Sequence, residues 1–211
     1  MNDSDSSLYL TIWQSFLSLS GWEVLATLLG IAYVVLATRE SIWCWPAAFI
    51  STLIYTFLFW EGQLPMQALL NAYYLLMAVY GWSLWRKHPN HKNDLTITTR
   101  PVHFHLTFIA VGSLLTLLTA YYLENVIESR LPYLDAAVTV FSVMNTVLMA
   151  RKILENWLYW LVIDAAAIAL YWQTGYYVTI TMFAVYLVLA VIGYLNWKQH
   201  YLGLHAPIKA S

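Results

Sequence analysis

Apolar residues fill seven long stretches of the chain, at 22–38, 43–60, 64–84, 104–123, 133–150, 157–172 and 176–197, and short polar segments separate them. A helix rises about 1.5 Å per residue, so about 20 residues cross a hydrocarbon core of roughly 30 Å, and fewer suffice where aromatic residues anchor the ends. Each stretch is therefore predicted to be a membrane-spanning helix. Pro65 and Pro132 stand at the starts of the third and fifth, where a missing N–H would be unbonded anyway. Ahead of the first span, Leu8, Ile12, Phe16 and Leu19 recur at helical spacing and predict a helix lying in the membrane interface, or a simple extension of that span. The acidic start, Met-Asn-Asp-Ser-Asp, lacks the basic n-region of a cleaved signal peptide.

Composition and charge sharpen this picture. Hydrophobic residues make up 61% of the chain and charged residues 10%, against about a quarter charged in an ordinary soluble domain. The net charge of -1 provides no basic field to hold nucleic acid by counterion release. A single cysteine, Cys44, excludes an intrachain disulfide and a zinc ribbon. All ten basic residues fall outside the seven spans, and nine of them sit in the loops that follow spans one, three, five and seven. The positive-inside rule then places the amino terminus outside and the carboxyl terminus in the cytoplasm, across a bacterial inner membrane. The six histidines, at 88, 91, 103, 105, 200 and 205, read as solvated loop residues, because no acidic or cysteine ligand accompanies them at metal-site spacing. No connection is longer than 85–103, so any chemistry belongs inside the bundle.

Sliding the chain against itself by 112 residues aligns 22–87 with 134–199 without a gap. The rare residues coincide: Trp45 falls on Trp157, Trp60 on Trp172, Trp85 on Trp197, Arg39 on Arg151, Tyr74 on Tyr186 and Gly81 on Gly193. Apolar residues match by chance in any membrane protein, but this set in one register points to an internal duplication. Each copy holds three spans, an odd number, and span four lies between them, so the copies face the same way. The predicted fold is an all-α membrane protein of seven transmembrane helices in a 3+1+3 parallel internal repeat. Its parts are a tail and interfacial helix at 1–21, the first repeat at 22–87, a cytoplasmic loop and linker helix at 88–132, the second repeat at 133–199, and a cytoplasmic tail at 200–211. Repeats of this kind carry a substrate site near the bilayer midplane, which favours a transporter.

Charge at the centre of a span costs about 2.5 to 3.5 kcal/mol on insertion scales and needs a reason. Asp164 sits near the middle of span six, and no Lys or Arg lies in any span to neutralise it. It reads as a protonated acid bonding a neighbouring helix, as a proton or cation coupling site, or as the counter-charge of a cationic substrate. Trp157, Trp160, Asp164 and Tyr171 share one helix face. Tryptophan faces attract organic cations by about 0.5 to 2 kcal/mol and stack on flat heterocycles. The matching stripe of the first copy is Trp45, Ala48, Thr52 and Tyr55, so Trp160 and Asp164 have no counterpart and the site is asymmetric. On span three, Gln67, Asn71 and Tyr74 share a face, as ligand contacts or as glue between helices. Asn145 and Ser142 on span five read as glue, and Trp22, Trp85 and Trp197 as the aromatic belt of the membrane interface.

These residues carry a likeness to a known family. Over nearly its whole length the chain resembles the Pnu family of bacterial vitamin transporters, through Arg39-Glu-Ser-Ile-Trp-Cys-Trp-Pro46, Gln67-Ala-Leu-Leu-Asn71 with Tyr74 and Tyr80-Gly-Trp82, and Ala150-Arg-Lys-Ile-Leu-Glu-Asn-Trp-Leu-Tyr-Trp160 followed by Asp164. The resemblance implies a SWEET-like fold, facilitated diffusion without an ion gradient, and trapping of the vitamin by a cytoplasmic kinase. It also implies that Trp157 and Trp160 line the site. In the nicotinamide riboside branch (PnuC type) an asparagine tends to stand where this chain has Asp164, and an Asn-Tyr-Phe type sequence where it has Trp43-Cys-Trp-Pro46. The latter form looks like the thiamine branch (PnuT type). The expected function is carriage of a cationic water-soluble vitamin, thiamine ahead of nicotinamide riboside, with a proton-coupled carrier as a further reading. The expected substrate-binding residues are Trp157, Trp160, Asp164, Gln67, Asn71, Tyr74, Trp43, Trp45 and Tyr55. An enzyme is the weak rival, because one acid without a second activated group supplies no catalytic pair. The implied partners are the vitamin, membrane lipid and a cytoplasmic kinase, with a homo-oligomer left open and no cofactor, metal or nucleic acid.

Overall fold

The computed structural model describes residues 20–63, 65–86, 95–127, 131–174 and 177–204, and these form seven helices. α1 spans Gly21–Thr38, α2 Cys44–Glu61, α3 Pro65–Trp85, α4 Val102–Tyr122, α5 Pro132–Ala150, α6 Asn156–Thr174 and α7 Tyr177–Leu204. A π-helical turn, Leu123–Ile127, continues α4. The seven helices coincide with the seven expected spans to within a few residues, except that α7 runs about two turns past 197 and takes His200 out of the expected tail. The expected interfacial helix around Leu8 to Leu19 lies outside the described residues. α1, α4, α5 and α7 are long and apolar enough to cross a membrane on composition alone. α2, α3 and α6 have the length, at 18, 21 and 19 residues.

Within the first copy α1 packs on α2 and α2 on α3, and the second copy repeats this with α5, α6 and α7. The copies meet through α1 against α7 and α3 against α5, the two halves of one pseudo-twofold relationship. α4 packs on α5, outside that arrangement, as the linker that lets two three-helix units point the same way.

The coincident residues of the duplication have packing roles. A Cβ on Gly81 would lie 2.3 Å from the Trp45 ring, and one on Gly193 would lie 2.6 Å from the Trp157 ring, so each copy seats a tryptophan directly on a glycine. The rings then form a chain, Trp45 to Trp85 to Trp197 to Trp157, with centroids 5.4, 6.0 and 5.5 Å apart. Trp85 donates its indole N–H to the Ala150 carbonyl at 2.9 Å, and Trp197 donates to the Ala37 carbonyl at 3.0 Å. Each bond crosses from one copy to the last turn of the other's first helix, where carbonyl acceptors are in surplus. Trp85 and Trp197 are therefore not the belt residues expected of them. They are 7% and 0% exposed, whereas Trp22, Trp60 and Trp172 face outward.

α1 and α5 end alike. Arg39 and Arg151 cap them, and Glu40 and Lys152 follow with φ of 53° and 51°. The Ser41 N–H returns to the Leu36 carbonyl and the Ile153 N–H to that of Leu148, while Glu40 and Lys152 reach Ala37 and Met149, so both ends are Schellman turns. The segment after 94 docks beside the second of them. Thr98 donates to the Lys152 carbonyl at 3.0 Å and accepts from Leu154 at 2.8 Å, with Ile97 buried. His105 is bonded rather than solvated, its Nδ1 lying 2.9 Å from the Tyr159 hydroxyl and its Nε2 3.2 Å from the Arg100 carbonyl. His200 likewise pairs with Glu40. His88, His91 and His205 lie outside the described residues.

Candidate functional site

Between the two copies lies a cavity of about 290 Å³. Six helices line it, and α4 takes no part among the described residues. The duplication dictates much of the lining, since matched residues meet there: Trp45 with Trp157, Tyr74 with Tyr186, and Gly30 with Ser142.

Unmatched residues make its walls different. α6 presents Trp160 and Asp164 where α2 presents Ala48 and Thr52. Thr52 satisfies its hydroxyl within its own helix, 2.8 Å from the Ala48 carbonyl and 3.2 Å from that of Phe49. A carboxylate, which only accepts, cannot do this. Asp164 is 3% exposed, and among the described residues it has neither a hydrogen-bond donor nor a cation beside it. Burying a charge in this way is costly until a partner arrives or a proton neutralises it. Among the described residues the indole N–H groups of Trp45 and Trp157 are buried without an acceptor as well. An unpaired buried donor costs about 1 to 3 kcal/mol.

Seven of the nine expected site residues line the cavity: Trp157, Trp160, Asp164, Asn71, Tyr74, Trp45 and Tyr55. The Tyr55 hydroxyl is held by Thr27, with the oxygens 2.6 Å apart. Asn71 donates its amide to the Gln67 carbonyl at 3.0 Å. Gln67 itself lies outside the cavity and is exposed, because the lining of α3 starts one turn deeper, at Asn71. Trp43 is outside too, 64% exposed and edge-on to Trp82 with centroids 6.0 Å apart. Two residues of helix turn through about 200°, so Trp43 and Trp45 face opposite ways. Tyr171, on the expected stripe, stacks on Phe183 at 5.5 Å instead of joining the lining.

Ser142, expected as glue, lines the cavity, whereas Asn145 is fully buried and donates to the Asn156 carbonyl at 2.9 Å. Sequence reasoning missed Tyr33 and Tyr186. Tyr186 carried a signal, being the repeat partner of Tyr74, and Tyr33 carried none.

Residues 20–199 match the profile of the family described as nicotinamide mononucleotide transporter. The chain is 22% identical over 204 residues to the nicotinamide riboside transporter PnuC of Escherichia coli, covering 85% of each. It is 26% identical over 180 residues to the riboflavin/roseoflavin transporter RibM of Streptomyces davaonensis, covering 83% of each. A PnuC from Neisseria mucosa is 26% identical over 187 residues, covering 82% of this chain and 70% of that one. A crystal structure of the vitamin B3 transporter PnuC superposes with a TM-score of 0.72 at 22% identity, covering 98% of this chain and 94% of that chain, so the fold is shared.

Proposed function

This chain belongs to the nicotinamide mononucleotide transporter family, and on that premise we propose that it carries nicotinamide riboside, a flat cationic vitamin, by facilitated diffusion. It is a multi-pass membrane transporter and not an enzyme. The observation that carries the cationic-substrate reading is Asp164, a buried carboxyl beside Trp160 and Trp157 with no partner of its own among the described residues, while the choice of nicotinamide riboside among flat cationic vitamins rests on the relatives. A pyridinium ring brings both the missing positive charge and a flat face for the indoles. Asn71 and Tyr74 read its polar edges, and Tyr55 closes the wall. Nothing is covalently changed, so transport depends on how the guest biases the two access states. The amino terminus is outside, the carboxyl terminus is in the cytoplasm, and phosphorylation by a cytoplasmic kinase traps the product.

Nicotinamide riboside now stands ahead of thiamine, reversing the order expected from the sequence. The relatives named above are two nicotinamide riboside carriers and one riboflavin/roseoflavin carrier, and none of them supports thiamine. Of the Trp43-Cys-Trp-Pro46 segment that suggested the thiamine branch, only Trp45 reaches the cavity, so the rest of that segment has no contact with a guest there.

Thermal-shift titration of the purified protein with nicotinamide riboside, thiamine and riboflavin tests the reading. Nicotinamide riboside should bind tightest, and Asp164→Asn should weaken it by about tenfold, the factor for roughly 1.4 kcal/mol. A preference for thiamine, or an Asn variant of unchanged affinity, would overturn it.

A further inference from the structure

Tyr74 and Tyr186 are one position of the two copies, and both line the cavity. Their opposite numbers across the seam are matched as well: Ser142 of α5 faces Tyr74, and Gly30 of α1 faces Tyr186. This reciprocity follows from the packing of α3 on α5 and of α7 on α1. The chemistry is not reciprocal. Where Tyr74 meets a hydroxyl, Tyr186 meets a bare backbone, and a Cβ at position 30 would sit 3.0 Å from its hydroxyl oxygen. The nearby Ser51 cannot substitute as a donor, because its hydroxyl already donates to the Ala26 carbonyl at 2.7 Å. Tyr186 has Tyr55, Asp164 and Tyr33 as its ionisable neighbours, and Tyr55 is engaged with Thr27. Among the described residues the Tyr186 hydroxyl has no hydrogen-bond partner.

We propose that Tyr186 is a ligand-binding residue of the transport site and that Gly30 determines specificity by leaving its hydroxyl free. The inference rests on the transport reading above and deepens it. An ionised Asp164 only accepts hydrogen bonds, whereas a phenol also donates. The two together fit a ligand group with a donor beside an acceptor, a primary carboxamide or a vicinal diol.

The test is a double-mutant cycle on affinity for nicotinamide riboside, with thiamine and riboflavin as parallel probes. Gly30→Ser recreates in the first copy the arrangement of the second and gives the hydroxyl an internal partner. Tyr186→Phe removes one oxygen and adds nothing, so it decides the matter should the serine variant fail to fold. Each single change should weaken binding by about tenfold. The double variant should bind no worse than Tyr186→Phe alone, because both changes act through one oxygen. Wild-type binding with Tyr186→Phe unaltered overturns the proposal, and so do losses that add in the double variant. Failure of the wild type to bind any of the three probes brings down the transport reading, and this inference with it.

Discussion

Glu40 and Lys152 stand at one position of a duplicated sequence, 112 residues apart, and they are bonded to each other, Lys152 Nζ donating to Glu40 Oε2 at 3.0 Å. Each occupies the left-handed place of a Schellman turn, where a side chain costs about 1 to 2 kcal/mol relative to ordinary helical backbone. Glycine would avoid that cost and could not make the pair. The contact is largely buried, with side chains 15% and 12% exposed, and Lys152 also lies 4.7 Å from the centre of the Trp85 ring. Identical charges here would face one another across the pseudo-twofold axis, so this is a place where the two copies have to differ.

Lys152→Glu should therefore lower the melting temperature, and adding Glu40→Lys should recover part of the loss, the rest going with the Glu40–His200 pair and the Lys152–Trp85 contact. The coupling from such a cycle should be about 0.5 to 3 kcal/mol. Lys152→Gly should cost less than Lys152→Ala, because it gives up the pair but relieves the backbone. Denaturation in detergent measures all of these, and a double reversal no better than the single would contradict the pairing.

Gly81→Ala and Gly193→Ala each place a methyl inside a tryptophan ring's contact distance. Overpacking of this kind costs about 1 to 3 kcal/mol, and the displaced ring decides what else is lost. Both variants should melt earlier. Gly193→Ala should also weaken nicotinamide riboside binding, since the ring it moves is Trp157, and the check is a melt followed by a ligand titration.

Trp85→Phe and Trp197→Phe remove matched bonds and should destabilise by similar amounts. A lost neutral hydrogen bond is worth about 0.5 to 1.5 kcal/mol, and the smaller ring adds a packing loss. Widely different melting temperatures for the two would show that the seam is not symmetric.

Trp43→Ala and Gln67→Ala should leave affinity for nicotinamide riboside unchanged, because neither residue lines the cavity. Trp160→Ala, which strips the wall beside Asp164, should reduce it strongly. Isothermal titration separates these outcomes, and a deficit in Trp43→Ala would mean that the guest reaches beyond the cavity.

The helices were legible because membrane thickness sets their length, and the duplication because tryptophan, arginine and glycine are rare enough to mark a register. Asp164 stood out for the same reason, as a lone charge among apolar residues. Depth was harder. Gln67 and Asn71 share a face, yet the angular rule says nothing of how far along α3 the cavity reaches. Trp85 and Trp197 misled because a tryptophan near a span end resembles an interface anchor. What buries each is a carbonyl 65 or 160 residues away, which no local pattern reveals. Tyr186 needed only one more step, to treat the repeat partner of a candidate as a candidate itself.

The bonds from Trp85 to Ala150, from Trp197 to Ala37 and from Asn196 to Thr38 gather with the Glu40 pair at one mouth of the bundle, past the tryptophan floor of the cavity. Four donors on one side or the other thus clasp the two copies at that end, and parting them there means giving up all four bonds.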